Sequence, residues 1–296
     1  MESKPRLTSP SVVKGLLEEH GIRLKKELGQ HFLCDENILG KILAAAELEG
    51  DELVIEPGAG LGTLTVALAT RAKEVIAVEL DGRLIPLLRA NLRERGWENV
   101  EVLHQDFLEL DLEELVQARG FAGDKAKVKV VGNLPYGITA PILERLTAAW
   151  RALKLAVVTI QREVAEKLLA PPGPGASALG VRVRAFAEVE LVARVPRTVF
   201  FPPPEVDSAI VRLDFLERPR FTADEELFFR VVRAAFNLRR KTLLAALSRS
   251  PLLGLPPELA RSALELAEIE PTRRGETLTL EEFDRLARAV EKLSHE

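Results

Sequence analysis

From Leu53 to about Ala170, short apolar, β-branched runs alternate with longer stretches whose apolar residues recur every three or four positions. The short runs are "ELVIEPG" (52–58), "EVIAVEL" (74–80), "VEVLHQD" (100–106), "KVKVVGN" (127–133) and "LAVVTIQ" (155–161), each predicted as a buried strand. Between them, "TLTVALATRA", "RLIPLLRANLRERG", "FLELDLEELVQARG" and "APILERLTAAWRAL" carry helical spacing. Such alternation predicts an α/β fold with a mostly parallel sheet, covered by helices on both faces. Ligands of these sheets sit outside the carboxyl ends of the strands. Gly58, Glu79, Asp106 and Asn133 all fall at the ends of successive strands, so the candidate chemistry converges on one edge.

The pattern changes after "REVAEKLLA". A loop, "PPGPGAS", is followed by two strand-like runs, "VELVARV" and "SAIVRLDF", on either side of "FFPPPEVD". From Thr222 onward every segment reads helical, with "TADE" and "TLEE" offering capping boxes before apolar-periodic runs. The predicted division is a ligand-binding domain over residues 1–216, with an N-terminal helical extension, and a small all-helical domain over 217–296.

Composition narrows the class. The 296 residues are 47% hydrophobic and 29% charged, as in an ordinary globular protein. No apolar run approaches the roughly 18 residues of a membrane span, and the N-terminus has no apolar signal region, so a cytoplasmic protein with no membrane partner is expected. A lone cysteine, Cys34, and four scattered histidines predict neither a disulfide nor a metal site. The net charge of −4 argues at first against a nucleic-acid partner. The charge is uneven, however: 17 basic against 23 acidic residues up to Ala140, and 24 against 22 after it. Basic clusters such as "RVRAF", "FNLRRKT" and "PTRRGE" lie in the second half, each either a solvated helix face or a binding surface.

"EPGAGLGTLT" follows a strand and opens a helix. Gly58, Gly60 and Gly62 allow close backbone approach to a ligand, although tight strand-to-helix turns also need glycine for packing. Glu79, at the end of the next strand, can accept both ribose hydroxyls of a nucleoside cofactor. The G-x-G-x-G spacing is one residue short of the dinucleotide fingerprint, which disfavours NAD and its pyrophosphate. Glu56, just before the glycines, suits a positively charged ligand, which favours S-adenosylmethionine. Asp106 is either an acceptor for the adenine amino group or a helix N-cap.

The stretch "VVGNLPYGIT" (130–139) holds the only tyrosine, Tyr136, behind Asn133, Leu134 and Pro135. An exocyclic adenine amine is a poor nucleophile because its lone pair is delocalised into the ring. Two acceptors, the Asn133 side-chain oxygen and a neighbouring carbonyl such as that of Leu134, can draw it toward tetrahedral geometry. Pro135 stiffens the loop and restricts Leu134. Tyr136 either caps the sheet or offers a face on which a base stacks, a contact worth about 1–3 kcal/mol. An enzyme acting on a base must first unstack it, and such a platform offsets part of that penalty.

"NLPY" resembles the amino-methyltransferase motif of the ribosomal RNA adenine dimethyltransferase family. "LGQHFLCDENIL", "EPGAGLGTLT", "FFPPPEVDSAIVRL" and "AFNLRRKTL" are similar to further motifs of that family, and together they span nearly the whole chain. The last two resemble the branch that modifies small-subunit (16S) rRNA rather than the macrolide-resistance branch acting on large-subunit rRNA. The resemblance implies an S-adenosylmethionine-dependent enzyme that dimethylates two adjacent adenines in a hairpin loop near the 3′ end of that RNA. It implies cofactor contacts at His31, Leu33, Gly58, Gly60, Glu79, Asp106 and Asn133, with His31 standing where the family usually has Asn. A neutral imidazole donates one hydrogen bond in place of the amide.

Phe200 matches an aromatic that covers the target base's other face, the alternative being a core aromatic that anchors its loop. Arg239, Arg240 and Lys241 then read as contacts to RNA backbone in the helical domain. The implied partner is small-subunit rRNA within a partly assembled 30S subunit, bound by a monomer. The competing classes are a non-catalytic assembly factor on the same fold and an NAD-dependent dehydrogenase. The intact NLPY and glycine loop weigh against the first, and the glycine spacing weighs against the second.

Overall fold

The computed structural model describes residues 6–24, 29–238 and 240–294, so Arg239 lies outside the described residues. The chain divides into two compact units: Met1–Ala165 with Glu188–Phe215, and Glu166–Ala187 with Leu216–Glu296.

In the first unit, the five predicted strands are β2 (Leu53–Pro57), β3 (Glu74–Glu79), β4 (Val100–His104), β5 (Val128–Asn133) and β6 (Leu155–Gln161). They run parallel in the order β4-β3-β2-β5-β6. A further strand, β9 (Ser208–Phe215), joins antiparallel to β6, with β7 (Ala187–Val195) beyond it. Every residue of β2 is buried, because strands flank it on both sides and helices cover both faces. By contrast β4 is an edge strand, and its half-exposed residues depart from the buried strand its apolar run predicted.

The connecting helices include α3 (Thr63–Ala69), α4 (Ile85–Arg95), α5 (Leu112–Ala118) and α6 (Thr139–Ala148). Strand order reverses between β2 and β5, and a crevice opens there at the carboxyl edge. The N-terminal extension consists of α1 (Pro10–Glu19) and α2 (Glu36–Ala46), separated by a two-residue strand β1 (Phe32–Leu33). β1 pairs antiparallel with β8 (Phe200–Phe201).

The second unit takes in residues assigned from sequence to the first domain. The 166–187 segment belongs with the C-terminal helices, and a ring cluster is the physical reason. Phe186 ends α8 (Ala178–Phe186) and lies 5.6 Å from the rings of both Phe221 and Phe229. Phe221 stacks on Phe228 at 4.4 Å. Leu216 and Arg220 donate main-chain hydrogen bonds to Phe186 and Ala185. The "RVRAF" cluster is therefore helical, and Arg182 in it lies over the Phe229 ring.

The remaining helices are α7 (Arg162–Leu169), α9 (Glu225–Asn237), α10 (Leu243–Ser248), α11 (Pro257–Leu266) and α12 (Leu280–Ser294). The capping box expected at "TLEE" is present: Glu282 N donates to Thr279 Oγ1, and Thr279 N to Glu282 Oε2. At "TADE" the cap is Asp224 instead, because Thr222 N and Oγ1 are both taken by the Asp284 carboxylate.

Candidate active site

The crevice is lined by the β2 glycine loop, the ends of β3 and β5, and the 29–33 segment. Gly58 has φ +72°, and a Cβ there would lie 3.3 Å from the Pro135 ring. Gly60 has φ +58°, and a Cβ would lie 3.0 Å from the Phe32 ring. Both positions therefore need glycine for backbone shape and for space.

Glu79 is buried at the end of β3. Its Oε2 accepts from Gly60 N and its Oε1 from Asp81 N, each at 2.8 Å. Burial raises its pKa, while these N–H groups oppose the rise. Each carboxylate oxygen retains a second acceptor site for a ribose hydroxyl. Asp81 in turn accepts from Gln30 Nε2 at 2.9 Å and from Arg83, whose Nη1 donates to the Arg23 carbonyl. This chain of bonds ties the N-terminal segment to the end of β3.

Glu56 lines the same crevice and is buried, with Oε2 lacking a hydrogen-bond partner among the described residues. Burial, with the Glu79 carboxylate adding to it, pushes its pKa up to about 8. A buried acid of this kind is complementary to a cation. The sulfonium and ammonium of S-adenosylmethionine would satisfy that requirement, with binding favouring loss of the Glu56 proton.

Asn133 ends β5. Its Nδ2 donates to the His31 main-chain oxygen at 2.8 Å, and its Oδ1 is buried with no partner among the described residues. Leu134 N donates to Thr159 O at 3.0 Å, and Pro135 O accepts from Ile138 N at 3.2 Å. The NLPY loop is thereby fastened to β6 and to its own following turn. Tyr136 lines the crevice, half-buried, with its hydroxyl hydrogen-bonded to Ser208 Oγ. Asn133 and Tyr136 are both part-buried, and both line the crevice.

His31 lines the crevice, as expected, but its ring makes a hydrogen bond of its own. Its Nδ1 lies 2.7 Å from the Pro202 carbonyl, which can only accept, so Nδ1 carries a proton. A neutral imidazole has one N–H, and this bond uses it. His31 can donate from Nε2 to a cofactor only when charged. Leu33 and Asp106 also line the crevice, and Asp106 caps the short turn 107–109 by accepting from Leu108 N. Both sequence readings of Asp106 are thus compatible, one oxygen serving the turn.

Phe200 does not line the crevice. It is 3% exposed and packs in the core with Leu33, Val195 and Ile210, where β1 and β8 pair. The stacking role expected for it is replaced by the anchoring one, since a ring enclosed on all sides has no face for a base. Arg240 and Lys241 are exposed on the turn between α9 and α10, in the second unit.

The family model described as ribosomal RNA adenine dimethylase matches residues 21–283. The chain belongs to the ribosomal RNA adenine dimethylase family. The chain is 46% identical over 286 residues to the ribosomal RNA small subunit methyltransferase A of Pelotomaculum thermopropionicum, covering 95% of this chain and 96% of that one. Among solved structures, it resembles a dimethyladenosine transferase from Plasmodium falciparum with TM-score 0.75, 28% identity, and coverage of 88% and 98% of the two chains. It also resembles the 23S rRNA methyltransferase ErmE, with TM-score 0.63, 30% identity, and coverage of 88% and 99%. As a member of that family, the chain is an S-adenosylmethionine-dependent rRNA adenine methyltransferase. No helix among its described residues is long and apolar enough to cross a membrane.

Sequence reasoning did not single out Gln30, Asp81 or Ser208. Gln30 lies inside the recognised "LGQHF" stretch and Ser208 inside "FFPPPEVDSAIV", but nothing in either pattern says which distant residue it meets.

Proposed function

We propose that this chain dimethylates the N6 amines of two adjacent adenines in a hairpin loop near the 3′ end of small-subunit rRNA, with Asn133 holding the acceptor nitrogen. The names of its bacterial relatives, small subunit methyltransferases A, support the substrate. One observation carries the reading of the site: Asn133 lines the crevice, and its amide oxygen is buried with no hydrogen-bond partner among the described residues.

S-adenosylmethionine, when bound, supplies a methyl group on a positively charged sulfur. Glu56 and Glu79, with the Gly58 and Gly60 turns, are the residues to hold it. Asn133 Oδ1 accepts one N–H of the adenine amine, and the Leu134 carbonyl accepts the other. Together they turn the nitrogen toward tetrahedral geometry and aim its lone pair. Residue 134 is suited to this because the Thr159 bond and the following proline restrict it from both sides. Tyr136 supports the face of the extruded base. After one transfer the amine keeps a single hydrogen, so only one acceptor remains engaged in the second.

The helical unit grips RNA backbone through Arg239, Arg240 and Lys241. The setting is a partly assembled small subunit in the cytoplasm, met by a monomer. Incubating the protein with unmethylated small subunits and labelled cofactor, then mapping the modified bases, tests the reading. Two adjacent dimethyladenines near the 3′ end are expected; label confined to large-subunit RNA, or no label, would reject it.

A further inference from the structure

Tyr136 is held at both ends. Its backbone opens the short turn 136–138 that follows β5 and the NLPY loop. Its hydroxyl meets Ser208 Oγ, 72 residues away in sequence. Ser208 is completely buried and is the first residue of β9. Because β9 runs antiparallel to β6, its first residue pairs with Gln161, the last of β6, at the carboxyl edge where the crevice opens. Between these two anchor points the ring meets the His31 imidazole, with centroids 5.2 Å apart and planes tilted by 35°.

A tyrosine ring tethered only at Cβ can turn about two side-chain torsions. Fixing its far oxygen removes that freedom and sets the plane of the ring. A base stacked on the ring inherits the plane, and with it the angle at which its amine presents a lone pair. Alignment matters more than contact area here, because displacing a reacting group by about 1 Å can cost on the order of 100-fold in rate.

We propose that Ser208 is a positioning residue for methyl transfer, acting through the Tyr136 hydroxyl to set the plane on which the target adenine stacks. This rests on Tyr136 being the base platform of the proposed function. It adds a residue that touches neither cofactor nor substrate and lies on a strand outside the parallel part of the sheet. Serine suits the place for a physical reason. Its hydroxyl can donate to or accept from the phenol, and it is small enough to be enclosed where β9 begins.

The test is a double-mutant cycle on Ser208→Ala, Tyr136→Phe and the pair, measured as single-turnover methyl transfer to unmethylated small subunits. Tyr136→Phe keeps the ring and the Ser208 site intact, so it reports the lost bond even where Ser208→Ala disturbs packing. Each single variant should slow transfer by roughly tenfold, with the affinity for S-adenosylmethionine unchanged, and the double variant should be no slower than either. Losses that multiply in the double variant, or an undiminished rate in either single one, would overturn the proposal.

A second readout is spectroscopic. Tyr136 is the only tyrosine, so phenolate absorbance reports it alone. Burial raises its pKa and the Ser208 bond opposes that rise, so Ser208→Ala should move ionisation to higher pH. An unmoved titration would mean that the bond does not form in solution. Tyr136→Ala separates the two levels. Full activity in that variant rejects the platform itself, whereas its loss of activity beside a normal Ser208→Ala rejects only the positioning role.

Discussion

Asn133 Nδ2 donates to the main-chain oxygen of His31 at 2.8 Å, across 102 residues of sequence. That bond decides which way the amide faces, since only the NH2 end can satisfy a carbonyl. The oxygen is left buried, without a partner among the described residues. An unsatisfied buried acceptor carries a desolvation penalty of about 1–3 kcal/mol that a bound N–H would relieve. On the proposed reading, the adenine amine supplies that donor.

Replacing Asn133 with Ala removes this acceptor. The first methylation should fall by on the order of 100-fold or more, as when a pre-aligned polar group is lost from other active sites. Single-turnover transfer to unmethylated subunits measures it, and a near-normal rate would defeat the assigned role.

Glu56 leads to a pH prediction. Its folded pKa is about 8, above the usual carboxylate value near 4.5. In the window between these values the folded state holds a proton that the unfolded state has released. Stability of the cofactor-free protein therefore declines as pH rises from about 4.5 to about 8 on this group's account, then levels off. Glu56→Gln should flatten that decline in thermal melts while weakening cofactor binding. Binding a cation to wild type should expel the proton, so calorimetry in buffers of different ionisation heat should detect proton release below pH 8. No proton release at pH 6–7 would argue against the pairing.

His31 should exist, when neutral, as the tautomer with the proton on Nδ1, because the Pro202 carbonyl takes that hydrogen at 2.7 Å. Nitrogen shifts of the four histidines, assigned with a His31→Asn variant, would report it. A proton on Nε2 instead would mean that the Pro202 contact is not a hydrogen bond.

The exposed Arg240 and Lys241 should act on RNA through charge. Neutralising each should reduce the slope of log affinity against log salt by about 1, with little change in which adenines are modified. An unaltered slope would place the RNA contact elsewhere.

Away from the crevice, Lys129 is buried beside Glu52 at 2.8 Å and also donates to the Glu47 carbonyl at 2.6 Å. Lys129→Met leaves the Glu52 carboxylate without its counter-ion and should destabilise the protein by roughly 3–5 kcal/mol in denaturant titrations. Replacing Glu52 with Gln in the same chain should recover part of that loss. If the single variant is neutral, Glu52 is satisfied by its contacts with the 49–51 main chain alone.

Local patterns were enough to predict the parallel strands, the glycine turn and the convergence of Gly58, Glu79, Asp106 and Asn133 on one edge. These follow from periodicity, and from the rule that successive parallel strands end on the same side. Tertiary packing decided what periodicity does not encode. Phe186 drew its helix into the C-terminal unit by meeting Phe221 and Phe229. Phe200 became a core residue because β8 pairs with β1. The direction of the Asn133 amide, the protonated nitrogen of His31 and the bond between Tyr136 and Ser208 all depend on partners 72 to 171 residues away. A side chain's type is written at its own position, but the atoms left to satisfy it are chosen only when the chain closes around it.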